Sequence, residues 1–201
     1  MRSDPKEKLT TMQHTEKVFG IGLSRTGTLS LASALRSLGF RTAHWQEHNA
    51  IERGLHTWFT GDFSDDCLAG FDAATDLPIP IFFKELDNRY PGAKFVLTTR
   101  NERDWLNSMQ GLFTRNARTR SNLSRYQRLV RNTMYGTTSF KPAKLEAAYR
   151  RHHTDVTEYF GERVLSLNIC AGEGWQQLCE FLGVAHPNTK FPWKHATTQN
   201  L

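Results

Sequence analysis

The chain has 201 residues, 38% of them hydrophobic and 23% charged, with a formal net charge of +6 at pH 7. That length carries one domain with a full core, and no apolar run approaches the length of a helical membrane span. The basic balance favours an anionic ligand, a demand that nucleic acid, a phosphorylated cofactor or an acidic membrane would each meet.

The first stretch, Met1 to Thr15, is polar, lacks an apolar segment of the kind signal peptides and anchors need, and reads as a flexible tail ahead of a single domain over residues 16–201. Val18 to Leu23 is an apolar, glycine-bearing run and is predicted as a buried strand. Thr28 to Leu38 follows with Leu31, Ala34, Leu35 and Leu38 at helical spacing and Gly39 at its end. Phe40 to Trp45 predicts a second strand and Asn49 to Phe59 a second helix. "FDAATDLP" places a short strand before Pro78, with a helix from about Ile79 to Arg89. Lys94 to Thr99 is a strong strand and Glu102 to Gln110 a helix. Asn116 to Arg131 and Pro142 to Phe160 are helical and polar, so the arginines between Arg115 and Arg131 are expected on an exposed helix or lid, and His152 and His153 in solvent. "ERVLSLNI" is the last strand, and "GEGWQQLCEFLGV" the last helix, with Trp175, Leu178, Phe181 and Leu182 inward. Strands alternating with helices predict an α/β fold of three layers, α/β/α, with a mainly parallel central sheet resembling P-loop folds.

The three cysteines, Cys67, Cys170 and Cys179, are far apart and show no metal-ligand spacing, so no metal site is expected, and reduced thiols in a cytoplasm fit them best.

"GIGLSRTGTLSLASAL", Gly20 to Leu35, is a strand running through a glycine-bearing loop into a helix. The glycines let backbone N–H groups curl inward, and the helix aims its positive end at the same spot. Arg25 adds a permanent cation; Thr26, Thr28 and Ser30 add hydroxyls. Gly22 and Gly27 have the spacing of a nucleotide triphosphatase loop, yet Thr28 stands where the lysine belongs and Leu29 where the magnesium-binding hydroxyl belongs. The loop suits an anion and is poorly equipped for a metal-bound triphosphate; a turn that only packs is the blander alternative. Arg100 ends a strand on the same sheet edge, and Ser108 lies two helical turns further on. An arginine fork plus a hydroxyl suits a phosphate monoester. Two anion sites on one edge suit a nucleotide phosphorylated at two places.

With these motifs in order, the stretch from Val18 to about Pro192 resembles the sulfotransferase superfamily, users of 3′-phosphoadenosine 5′-phosphosulfate (PAPS), and within it the short, mostly bacterial and fungal "RTGT" branch. "SRTGTLS", "FDAATDLP", "YPGAKFVLTTRNERDW" and "WQQLCEFLGV…FP" carry the likeness. The resemblance implies PAPS as co-substrate, a hydroxyl-bearing small molecule as acceptor, and a role in natural-product chemistry. It implies that Ser24, Arg25, Thr26, Gly27, Thr28, Leu29 and Ser30 hold the 5′-phosphosulfate and that Arg100 and Ser108 hold the 3′-phosphate. Arg25 would meet the charge growing on the leaving phosphate. Cytosolic animal enzymes place a histidine base just before Leu-Pro; here Asp76 occupies that place. A carboxylate can serve if its surroundings raise its pKa, and a helix cap is the competing role for an Asp before Pro. His44 and His48 are further candidates for the acceptor pocket. The glycine-rich basic segment that closes over the nucleotide in the animal enzymes is absent; Lys190, Trp193, Lys194 and the Arg115–Arg131 arginines are candidates for that task. No nucleic acid or membrane partner is expected, and a homodimer stays open. The rival readings are a P-loop small-molecule kinase and a non-catalytic basic nucleic-acid-binding domain.

Overall fold

The computed structural model describes residues 16–44, 48–64, 66–118 and 123–194. The expected N-terminal tail and Trp45 lie outside these residues, as does the side chain of His48. Among the described residues five strands form one sheet: β1 (Val18–Gly20), β2 (Thr42–Ala43), β3 (Ala73–Thr75), β4 (Lys94–Thr98) and β5 (Val164–Leu167). Their order across the sheet is β2-β3-β1-β4-β5, and every pairing is parallel. Parallel strands covered on both faces need apolar side chains on both faces. Hence the continuous short runs in the sequence, and hence the complete burial of β1 and β3.

Among the described residues the helices are α1 (Thr28–Ser37), α2 (His48–Trp58), α3 (Phe83–Arg89), α4 (Glu102–Arg118), α5 (Arg125–Tyr135), α6 (Pro142–Phe160) and α7 (Trp175–Leu182), with short 3₁₀ turns at Ile79–Phe82, Gly161–Arg163 and Ile169–Ala171. On one face Leu31 and Leu35 of α1 pack with Trp175 and Leu178 of α7. On the other, Trp58, Leu86, Trp105, Val130, Val156 and Phe160 from five helices form the larger core. The expected three layers are therefore present. Two boundaries differ from the sequence reading. The helix expected over residues 116–131 is two elements: α4 runs on to Arg118 and α5 begins at Arg125 behind a Ser124 capping box. The expected helix from Ile79 starts as a 3₁₀ turn, with α3 proper beginning at Phe83.

β1 lies at the centre, with β3 on one side and β4 on the other, so the chain reverses its direction of sheet growth beside β1. The carboxyl edge at such a reversal is where open parallel sheets bind ligands. The loop leaving β1 must cross tightly over β4 to reach this edge, and Gly22 makes that crossing. A Cβ there would stand 2.0 Å from Thr98 Oγ1 and 2.5 Å from the Thr98 carbonyl oxygen. Backbone cannot retreat as a flexible side chain can, so Gly22→Ala should destabilise the fold by about 1–3 kcal/mol or more. Chemical denaturation checks this, and an unchanged midpoint would contradict the packing account.

Candidate active site

The segments leaving β1, β3, β4 and β5 converge on one cavity of about 550 Å³. Its wall includes Ser24, Arg25, Gly27, Thr28, Leu29 and Ser30 from the first loop and α1, Asp76 after β3, Arg100 after β4, and Ile169 after β5. The residues singled out in the sequence are thus brought together, with three differences in detail.

Arg25 is held in a left-handed conformation, φ 74°, which a non-glycine residue adopts at a cost. Three hydrogen bonds fix it. Trp105 Nε1 donates to the Ser24 carbonyl at 2.9 Å, Arg100 Nη1 donates to the Arg25 carbonyl at 3.2 Å, and Arg25 Nε donates to Ser108 Oγ at 3.0 Å. The Arg25 guanidinium is thereby aimed by its inner nitrogen, and its terminal nitrogens make no hydrogen bond to a described residue. Burial lowers the Arg25 pKa from its ordinary value, and the positive charges of Arg115 and Arg100 lower it further, while Asp76 opposes them. Clustered cations that disfavour one another gain when an anion enters between them.

Gly27, φ 105°, opens α1 with no side-chain cap. The first-turn N–H groups of a helix have no partner within it, and here Gly27, Thr28, Leu29 and Ser30 all border the cavity. Arg100 Nε is buried and makes no hydrogen bond among the described residues. An orphaned guanidinium N–H beside a helix N-terminus is the arrangement an oxyanion completes.

The first difference is Thr26. It is fully buried, its hydroxyl donates to the Leu23 carbonyl at 2.6 Å and shares a 2.6 Å hydrogen bond with Thr98 Oγ1. It tightens the loop and offers nothing to the cavity. The second is Ser30, whose hydroxyl accepts from Lys194 N at 3.0 Å, so it ties the C-terminal segment across α1. Trp193 and Lys194 consequently border the cavity and Lys190 does not. The third is Ser108, which supports Arg25 and does not itself border the cavity. Thr28 alone of the three hydroxyls is left without a side-chain bond to a described residue, and it faces the cavity.

Among the described residues Asp76 is the second non-glycine with positive φ, 69°, a conformation Asp tolerates better than most. It is not a side-chain helix cap. Oδ1 accepts from Ser24 Oγ at 2.6 Å and from Leu77 N at 2.9 Å, and the main-chain carbonyl takes Ile79 N at 3.0 Å. Oδ2 faces His44 Nε2 at 3.8 Å. His44, nearly buried, is oriented by Nδ1 bonding Thr75 Oγ1 at 2.8 Å. One carboxylate oxygen is therefore committed to the loop and the other is turned toward His44 at the cavity.

The wall opposite the first loop comes from α4 and α5. Met109, Leu112 and Phe113 share one face of α4; Gln127, Arg131 and Tyr135 recur every four residues along α5 and line the cavity in a row. The sequence reading put the arginines between Arg115 and Arg131 on an exposed helix or lid and kept them as candidates for closing over the nucleotide; Arg131 does border the cavity. Tyr135 is buried beside Ser24, and burial pushes its phenol well above the ordinary range.

A family model described as a sulfotransferase domain matches residues 17–200. The chain belongs to this family. A curated relative, Ava biosynthesis cluster protein M of Aspergillus versicolor, is 31% identical over 208 residues, covering 88% of this chain and 79% of the relative. The sulfotransferase domain places its cavity on a carboxyl sheet edge, and among the described residues no helix is long and apolar enough to cross a membrane.

The sulfotransferase domain also withdraws from solvent two histidines that were expected there, His152 fully and His153 in part. His152 is buried and donates from Nε2 to the Ile21 carbonyl at 2.7 Å, bracing the strand-to-loop junction. His153 stacks on Tyr149 with ring centroids 4.2 Å apart, and the Tyr149 hydroxyl donates to the Arg100 carbonyl. Burial, with a smaller contribution from His152, drives His153 down to about 4, while Glu102 pulls weakly upward. An unfolded chain takes up this proton near 6.5. Between those values the unfolded state binds more protons, so stability falls as pH is lowered through the window from about 6.5 to about 4. His153→Phe keeps the stack and removes the titration. Its denaturation midpoint should fall less steeply with acidification than that of the unaltered chain, and parallel slopes would show that His153 is not the source.

Proposed function

We propose that this sulfotransferase-family chain transfers a sulfuryl group from PAPS to a hydroxyl of a small-molecule acceptor, in the cytoplasm and in natural-product biosynthesis. The observation that carries the reading is the buried, partnerless Nε of Arg100 beside the unpaired first turn of α1, with Arg25 aimed between them. A nucleotide with phosphates at two places gives each of these groups an oxyanion. The donor, when bound, supplies an activated sulfuryl group on a phosphate leaving group.

The chain's own residues then have separable tasks. Backbone N–H groups of Gly27 to Ser30 and the Thr28 hydroxyl grip the 5′ end. Arg100 takes the 3′-phosphate, with Ser108 and Tyr149 keeping Arg25 and Arg100 in place. Arg25 stabilises negative charge on the leaving oxygen. Asp76 Oδ2 accepts the proton of the acceptor hydroxyl, and His44 stands next to it. The work is positioning and charge stabilisation, as in the related phosphoryl transfers. The name of the Aspergillus relative, a biosynthesis cluster protein, supports a small-molecule acceptor. Thr28 and Leu29 in place of the lysine and metal-binding hydroxyl weigh against the kinase alternative.

Isothermal titration with adenosine 3′,5′-bisphosphate against ATP and magnesium tests the reading, together with transfer from labelled PAPS. Tight bisphosphate binding is expected; preference for ATP and magnesium would favour a kinase. Arg100→Ala should weaken the bisphosphate by about tenfold to a hundredfold, the scale of a charge-assisted hydrogen bond. Adenosine 5′-phosphosulfate should lose much less, the residue of its loss reflecting the Arg100 bond to the Arg25 carbonyl. Equal losses for both ligands would move the 3′-phosphate elsewhere.

A further inference from the structure

We infer that Arg131 recognises an anionic group on the acceptor, so that the acceptor is an apolar hydroxy compound bearing a carboxylate or similar oxyanion. The inference rests on the transfer reading above and names its substrate class.

Arg131 projects from α5 into the cavity between Gln127 and Tyr135. Its guanidinium lies 5.3 Å from the centre of the Phe113 ring. It makes no hydrogen bond and no ion pair with any described residue. A cation taken partly out of water needs an anion or a full set of acceptors to offset the lost hydration, and an aromatic face returns only part of that loss. Burial accordingly lowers its pKa, and the two groups that pull it back are Tyr135 and Asp76.

Its surroundings assign it to the acceptor side. Arg25 and Arg100 line the cavity from the segments after β1 and β4, the side assigned above to the nucleotide. Asp76 pulls upward on both Arg25 and Arg131, and Arg131 stands on α5, a different element from the segments after β1 and β4 that carry Arg25 and Arg100. The wall around that cation is apolar: Met109, Leu112 and Phe113 of α4 and Leu123 ahead of α5. Along α5, Arg131 is one turn, about 6 Å, from Tyr135, which lies beside Ser24 and the Asp76 carboxylate. A ligand with its hydroxyl at Asp76 and its acid at Arg131 therefore carries the two groups at separate points, with an apolar body between them.

The test uses the full chain and matched probes: 4-hydroxyphenylacetate, 3-(4-hydroxyphenyl)propanoate and the primary amide of each. Calorimetric titration is run with adenosine 3′,5′-bisphosphate present and again without it. At least one acid should bind about tenfold or more tighter than its amide. Arg131→Gln should abolish the preference, Arg131→Lys should keep part of it, and bisphosphate affinity should stay within about twofold in both, since neither change touches the phosphate cluster. Amides binding as well as acids, or no detectable binding of either acid, overturns the inference. So does an Arg131→Gln protein that loses the bisphosphate as heavily as the acid, which would put Arg131 on the nucleotide. The acid–amide comparison on the unaltered chain needs no variant to fold. Because it is also made without the bisphosphate, failure of the nucleotide to bind counts against the donor reading alone.

Discussion

Arg25→Ala is expected to lower turnover at saturation by about 100- to 1000-fold, the usual effect of removing one preorganised donor to a developing charge. The fold should hold, because the guanidinium is not part of the apolar core and the loop keeps two of its fixing bonds. Trp105 Nε1 still reaches the Ser24 carbonyl, and Arg100 Nη1 still reaches the carbonyl of residue 25. What disappears is a cation oriented by Ser108 and pressed by the neighbouring charges of Arg115 and Arg100. In the proposed complex the α1 N-terminus and Arg100 would also hold ground-state phosphate, so affinity for adenosine 3′,5′-bisphosphate should fall much less than turnover. Arg25→Lys should recover little: one ammonium cannot donate to Ser108 from an inner nitrogen while presenting two planar donors outward. Calorimetry beside single-turnover transfer separates the two quantities. Loss of binding with an unchanged rate at saturation would make Arg25 a clamp on the bound nucleotide and nothing more.

The sheet was legible because buried parallel strands leave continuous apolar runs, and the first loop because glycine and hydroxyl residues cluster between such a run and a helix. Residue type does not say where a hydroxyl points, however. Thr26 and Thr28 are two positions apart and look equivalent, yet Gly22 lets the loop lie so close over β4 that Thr26 is turned against Thr98 while Thr28 stays at the cavity. His44 meets Asp76 only through register. Parallel pairing sets Ala43 opposite Ala74, which carries His44 to Thr75 and the Asp76 carboxylate, and no local pattern announces this. The burial of His152 did leave a signal. Ala148, His152, Val156 and Phe160 recur every four residues on α6, and all are buried, so the histidine sits on the apolar stripe of a helix whose other faces are charged. The row Gln127, Arg131 and Tyr135 left the same four-residue spacing. It was obscured because the arginine-rich composition of the segment suggested one solvated helix where there are two helices with a break between them.

Asp76→Asn is expected to reduce sulfuryl transfer by about 100-fold or more, the scale of a lost general base, while folding and nucleotide affinity survive. The geometry makes this substitution unusually selective. Asparagine keeps an oxygen at the Oδ1 position, where Ser24 Oγ and Leu77 N donate, and it tolerates the left-handed backbone found at φ 69°. The change falls on Oδ2, which becomes an NH₂ group facing His44 at the cavity. A donor then replaces the acceptor that the proposed attacking hydroxyl would use. Asp76→Ala is the less informative variant, because it also strips the Ser24 and Leu77 bonds and so disturbs the loop that aims Arg25. The measurement is kcat with saturating donor, beside calorimetric affinity for adenosine 3′,5′-bisphosphate and the denaturation midpoint. Retention of near-normal turnover by Asp76→Asn would transfer the base to His44, whose Nε2 lies 3.8 Å from Asp76 Oδ2 and whose Nδ1 bond to Thr75 would then fix its tautomer. In that case His44→Phe should produce the loss that Asp76→Asn did not. If Asp76 is the base, His44→Phe should cost less than Asp76→Asn, because the histidine then acts only on the carboxylate beside it.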